Sequence, residues 1–174
     1  MELEAQYSFT FPSQFRQFLI NYNGGYTPKT KFKIGKLSSD VRGFYGVGRA
    51  ELNYSFFTGR MEFNDYTKSG FVPIACDSFG NYIVIAITGG SLGQMFFEDH
   101  EQASKRYLLA PDFASFIKAC KSELVSEASK RSIQEREEIL IKNGRGHVIT
   151  DSLRTSWQAE IDKYSKIEQE ELIL

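Results

Sequence analysis

Only two of the 174 residues are cysteine, four are proline, two are histidine and one is tryptophan. Cys76 and Cys120 lie in apolar surroundings without a Cys-x-x-Cys spacing, so neither a disulfide framework nor a thiolate metal site has support, and two buried thiols are expected. An excess of one charge is also missing: 21 Lys and Arg stand against 22 Asp and Glu, net −1, with a pI near 6.2. Proteins that bind nucleic acid or anionic membranes usually carry a basic excess, so neither is an expected partner, and only a local patch could act that way. The longest apolar run, Tyr82 to Ile87, has six residues, against roughly 20 for a bilayer-spanning helix. Met1 to Gln6 holds two acids and no basic residue; neither a secretory signal nor a mitochondrial presequence is read there, and the expected compartment is the cytoplasm. The chain has no internal repeat and no low-complexity segment.

What is present describes a globular chain, 41% hydrophobic and 14% aromatic. Every aromatic residue except Trp157 and Tyr164 falls in residues 1 to 120, as do all the prolines. That part therefore holds the core and the turns, and the remainder reads as helical. Phe11, Phe15, Phe18, Leu19 and Tyr22 recur at helical spacing and form one apolar stripe. Pro12 suits the first turn of that helix, and Asn23-Gly24-Gly25 suits its C-cap, ending the helix at Asn23 or Gly24. The stripe is there to pack on something, which should be a sheet. Lys31 to Ile34 alternates charged and apolar residues with a period of two. Its lysines, with Lys29 and Lys36, could make an anion-binding strip; protection of an edge strand is the simpler expectation. Val41 to Val47 reads as a strand kinked at its glycines. Residues 49 to 70 show no clear period. Phe71 to Cys76, the turn Asp77 to Asn81, and Tyr82 to Ile87 read as strand, turn and strand, followed by a second turn at 88–93 and a strand at 94–97. Together they predict an antiparallel meander. Pro111 opens a helix carrying Phe113, Phe116, Ile117, Cys120 and Leu124 on one face.

Candidate chemistry is sparse. Gly89 to Gly93 lacks the Lys-Ser/Thr ending and following helix of a phosphate loop, so it reads as a hairpin turn. Glu98-Asp99-His100-Glu101 has the donor types for a divalent cation, but adjacent positions do not converge and one histidine sets no coordination geometry. Cys76, at the end of an apolar strand, reads as an inert thiol beside Asp77. His147 is a loop residue. No catalytic residue, cofactor or metal site is expected.

Phe11-Pro12, then Asn23-Gly24-Gly25, then Pro73-Ile74-Ala75-Cys76-Asp77-Ser78-Phe79-Gly80-Asn81, then Gly93 to Glu101 occur in order with suitable gaps. This pattern resembles the SUKH superfamily, in the branch named for the fungal cell-wall-synthesis regulators and rich in bacterial toxin-immunity proteins. The resemblance covers about residues 4 to 120. It implies an α+β fold, a curved and mainly antiparallel sheet flanked by helices, over residues 1–120, with 121–174 as a helical C-terminal extension packed on it. It also implies a protein-binding scaffold without catalysis, whose partner is a cognate toxin domain or another protein. The motif residues Pro12, Asn23, Gly24, Gly25, Pro73, Asp77, Gly80, Asn81 and Gly93 are expected to be structural. Asp99, His100, Glu101 and Trp157 are the candidate partner-binding residues. Trp157 lies in a stripe with Leu153, Ile161 and Tyr164 behind an N-cap at Thr150 or Asp151, expected to pack on the domain, with a partner-facing helix as the alternative. A regulatory interaction module and a ligand- or metal-binding domain built on the His100 cluster are the competing functional readings. Oligomeric state is not read from the sequence.

Overall fold

The computed structural model describes residues 2–47, 63–102, 105–165, 169 and 171–173. These fall into two compact units, residues 1–123 and 124–173.

In the first unit the chain opens with a short helix, α1 (Glu2–Tyr7), and then forms α2 (Ser13–Asn21). Pro12 stands at the N-cap rather than inside the first turn, and its carbonyl accepts the first helical hydrogen bond, from the Arg16 N–H at 3.0 Å. Glu4 fixes the approach: its carboxylate accepts the Phe11 N–H at 2.9 Å and pairs with Arg16 at 3.3 Å. Strands β1 (Gly25–Ile34) and β2 (Leu37–Phe44) form a hairpin. Of residues 49 to 70, 49–62 lie outside the described residues; the helix α3 (Phe63–Lys68) follows and rests on β3. Strands β3 (Phe71–Cys76), β4 (Tyr82–Ala86) and β5 (Met95–Glu98) then run as the expected meander, and β6 (Arg106–Ala110), not expected from the sequence, extends it. Helix α4 (Phe113–Ala119) carries the chain back across the sheet to β7 (Cys120–Ser122). Among the described residues the sheet is seven-stranded, entirely antiparallel, in the order β6-β5-β4-β3-β2-β1-β7.

Burial explains this path. Phe15, Phe18, Phe113 and Phe116 are almost wholly buried. Phe113 meets Phe15 and Phe18 with ring centroids 5.2 Å apart and Phe44 at 6.0 Å, and Phe116 meets Phe32 at 5.5 Å. Each such side chain contributes roughly 1.5–3 kcal/mol by removal from water, so α2 and α4 close over one face of the sheet. Asp112 caps α4 by accepting the Ser115 N–H at 2.7 Å, and Gln14 of α2 accepts the Ala114 N–H at 3.0 Å.

Two expectations change here. The helical face read through Cys120 and Leu124 ends early: α4 stops at Ala119, Cys120 opens β7 in register with Phe32, and Leu124 is exposed. Pairing with β1 offers the backbone a ladder that outcompetes another helical turn. The lysine strand is likewise not an edge, because β7 covers its outer side. Lys36 lies in the turn between β1 and β2.

The end of α2 also differs in detail. The helix finishes at Asn21, and Asn23, Gly24 and Gly25 all take positive φ, 55°, 75° and 127°. Asn23 turns its amide to Val47 like a strand partner, donating to the Val47 carbonyl at 2.6 Å and accepting the Val47 N–H at 2.8 Å. That brings Gly24 onto the backbone of Phe44 to Gly46, where a Cβ would lie 2.7–2.8 Å from main-chain atoms. Gly35, φ 60°, faces open space.

The second unit is helical: α5 (Glu127–Lys130), α6 (Ile133–Lys142) and α7 (Asp151–Tyr164). A capping box between Ser132 and Glu135 starts α6, and Thr150 caps α7 by accepting the Leu153 N–H at 3.2 Å. None of its helical residues is fully buried. Arg136 joins all three helices, donating to Glu160 at 2.7 Å and to the carbonyls of Ala128 and Ser129 at 3.1 and 2.8 Å, with its guanidinium 5.8 Å from the Trp157 ring centre.

Two outcomes follow from these contacts. Gly35→Ala should cost about 1–2 kcal/mol, the left-handed penalty alone, whereas Gly24→Ala should cost about 3 kcal/mol or more because the backbone must also move; urea unfolding midpoints rank the two. Burial pushes the Glu4 carboxyl up, but interactions led by the Phe11 N–H, with Arg16 among them, outweigh it and hold it below the usual value of 4.5. Its contribution is therefore fully present above that value and is lost as pH falls through the lower folded one. The melting temperature of Glu4→Gln should lie below that of the parent at pH near 7 and converge with it in acid.

Candidate functional site

The motif Asp77 to Asn81 builds the turn between β3 and β4, and its organiser is the Asp77 carboxylate, only 2% exposed. Oδ1 accepts the N–H groups of Phe79 at 2.9 Å and Asn81 at 2.8 Å. Oδ2 accepts the Ser39 hydroxyl at 2.8 Å and the Asn81 side-chain amide at 2.7 Å. The carboxylate thus satisfies the turn from inside and ties it to β2. Gly80 takes φ 92° at the bend, and Pro73 is buried within β3.

The turn reaches out on two sides. On one, the Asn81 amide is oriented by Asp77, so its oxygen faces His100 and accepts the His100 N–H at 3.1 Å and the ring Nδ1 at 2.8 Å. An acceptor at that position places the ring proton on Nδ1. Asp99 closes the adjoining loop, accepting the Glu101 N–H at 2.9 Å and the Gln102 amide at 3.0 Å. His100 and Glu101 are exposed and Asp99 is half-buried. On the other side Asp40 of β2 accepts the Ser78 N–H at 3.0 Å and the Ser78 hydroxyl. Phe79, between these anchors, is left 73% exposed. An open groove of about 780 Å³ runs beside it, lined in part by Lys31, Lys33, Asp40, Phe79, Ala119 and Lys121.

Residues scattered along the sequence thus meet: Asp77, Asn81 and His100 form one hydrogen-bonded chain, and Pro12 lies near Gly93, 3.8 Å from where a Cβ would be. Trp157 belongs to the second unit, half-buried on α7 beside Arg136. Sequence reading missed Ser39, Asp40 and the groove. Ser39 and Asp40 carried no local signal, because their role comes from contact with a turn 38 positions away.

Among the described residues no three His, Cys, Asp or Glu side chains gather as a metal would require. Both cysteines are free and half-buried rather than fully buried; burial raises each thiol, Cys120 to about 12. Among the described residues no helix is long and apolar enough to cross a membrane.

With this geometry, the chain is an α+β protein whose exposed features are a turn, a loop and a groove beside one antiparallel sheet. Residues 1–119 match the model of the SMI1 / KNR4 family (SUKH-1), and the chain belongs to that family. Its members are generally non-catalytic immunity or regulatory proteins. No curated protein and no solved structure matches the chain significantly.

Because four donors converge on Asp77, removing its carboxylate orphans buried groups. Asp77→Asn should cost about 1–3 kcal/mol by setting an amide N–H₂ against donors, and Asp77→Ala more; equilibrium unfolding in urea measures both, and equal stability of the three proteins would contradict this account of the turn.

Proposed function

We propose that this chain is a bacterial, cytoplasmic immunity protein that binds a cognate toxin domain directly and blocks it, without catalysis. The observation that carries the reading is family membership across residues 1–119, in a structure where the motif acids are spent on holding a turn. Asp77 and Asp99 accept from neighbouring turn donors, which suits a rigid presenting surface. Phe79 supports the same reading. A large aromatic ring held out on a braced turn costs apolar exposure in the free protein and becomes favourable when a partner buries it.

In this proposal the turn 77–81 is the centre of contact, with Asp99, His100 and Glu101 on one flank. The segment 121–174 is a helical extension of the 1–120 domain, and the Trp157 stripe adds a second contact or packs on the domain. The family description also covers regulatory proteins, so a regulatory interaction module is the competing reading.

Titration calorimetry against the C-terminal domain encoded immediately upstream, in an inactivated form, separates the two. Nanomolar affinity, about −12 kcal/mol, is the expected result. Absence of binding at micromolar concentration would remove the toxin reading in favour of the regulatory one.

A further inference from the structure

The groove beside Phe79 has a charge pattern that stability alone does not account for. In the ladder, Lys31 of β1 stands directly opposite Lys121 of β7 on one side and Asp40 of β2 on the other. Like charges directly opposed across strands destabilise a sheet, and Asp40 does not relieve them by contact. Its two oxygens are taken by the Ser78 N–H and hydroxyl, and among the described residues neither Lys31 nor Lys121 has an acid within ion-pair distance. Lys33 lies one step along the same face, opposite Ser38, also without an ion pair. The neighbouring Lys29 is different, because it pairs with Glu123 at 2.8 Å. Protection of an exposed edge does not explain the lysines either, since β1 is an inner strand.

We propose that this groove is the docking site for an acidic protein surface, in which carboxylates of the partner neutralise Lys31, Lys33 and Lys121 while an apolar side chain seats against Phe79. The inference rests on the protein-binding reading above and names the chemistry of the partner at that site. Charge complementarity selects an anion. The exposed Phe79 ring, with Ala119, adds apolar surface to the groove, which selects a protein over a nucleic acid. A polynucleotide would need a longer run of cations than these three lysines.

The test uses the full chain labelled with ¹⁵N and titrated with the peptide Glu-Glu-Phe-Glu-Glu, its Lys-Lys-Phe-Lys-Lys counterpart and a short single-stranded DNA. Amide signals of residues 31–33, 38–40, 78–80 and 119–121 should move with the acidic peptide and stay in place with the basic one. The triple change Lys31→Gln, Lys33→Gln and Lys121→Gln should weaken the acidic peptide about tenfold, as should high salt, while Lys68→Gln, on α3 and outside the groove, changes nothing. Phe79→Ala, which removes an exposed ring and leaves the sheet alone, should weaken that peptide several-fold, so the proposal stays testable even if the triple variant misfolds. No movement of these signals by the acidic peptide at about 10 mM, or tighter binding of the DNA, would overturn the inference. Should the upstream toxin domain bind the parent and the folded triple variant equally, this surface is wrong and immunity stands. If the peptide maps to the groove but the toxin domain does not bind, immunity is wrong and the surface stands.

Discussion

The packing of α4 against the aromatic residues of α2 governs both the topology and the chemistry of the sheet. Phe113 and Phe116 bury almost completely only if the helix crosses from β6 toward β1. Once the helix lies there, its C-terminal end arrives beside an open strand edge, and the next three residues complete it as β7. Backbone groups that would face water at that edge gain partners, and Thr30 and Ser122 add a hydroxyl contact at 2.6 Å. The lysines of β1 thereby change from edge guards into members of an interior row.

A second constraint sits at the other end of the site. A turn of five residues has several backbone N–H groups with no ladder partners, and burying them is costly unless something accepts them. Asp77 meets that need with one side chain and spends its remaining capacity on Ser39 and Asn81. The turn is then rigid enough to hold Phe79 outward and to orient the Asn81 amide, which in turn sets the His100 ring. The positions of Phe79 and His100 are traceable to one buried carboxylate. Asp77 and Asn81 thus hold the turn from inside, and Phe79 is what it displays.

Where local chemistry decided the outcome, the sequence was readable. The stripe Phe11 to Tyr22 led to α2, the alternation and glycines of 71–97 led to three strands of the meander, and Thr150 led to the start of α7. Failures came where a distant partner decided. Cys120 continues the helical spacing of Phe113 and Phe116, yet it joins a ladder with Phe32. Helices α1 and α3 have six residues each, too few for a periodicity to emerge. The groove was invisible for the same reason: it joins β1, β2, β7 and the β3–β4 turn, and only the cross-strand register sets Lys31 beside Lys121. The braced turn was legible as a motif, but not the serine and aspartate of β2 that hold it.

Net charge is silent on where the charges stand, for a related reason. A formal charge of −1 counts every acid and base alike, while a partner responds to charges that remain unneutralised at the surface. In the first unit Glu4 faces Arg16, Glu98 faces Arg106 and Glu123 faces Lys29. Asp77, Asp99 and Asp112 accept from donors within their own turns and caps, and Asp40 accepts from Ser78 of the β3–β4 turn. Much of the negative charge is thus engaged in holding the fold, whereas Lys31, Lys33 and Lys121 stand exposed on one face. The same composition would give a featureless surface if acids and bases were interleaved. Their segregation is a product of register, and it gives a nearly neutral protein a row of unpaired lysines on one face among the described residues.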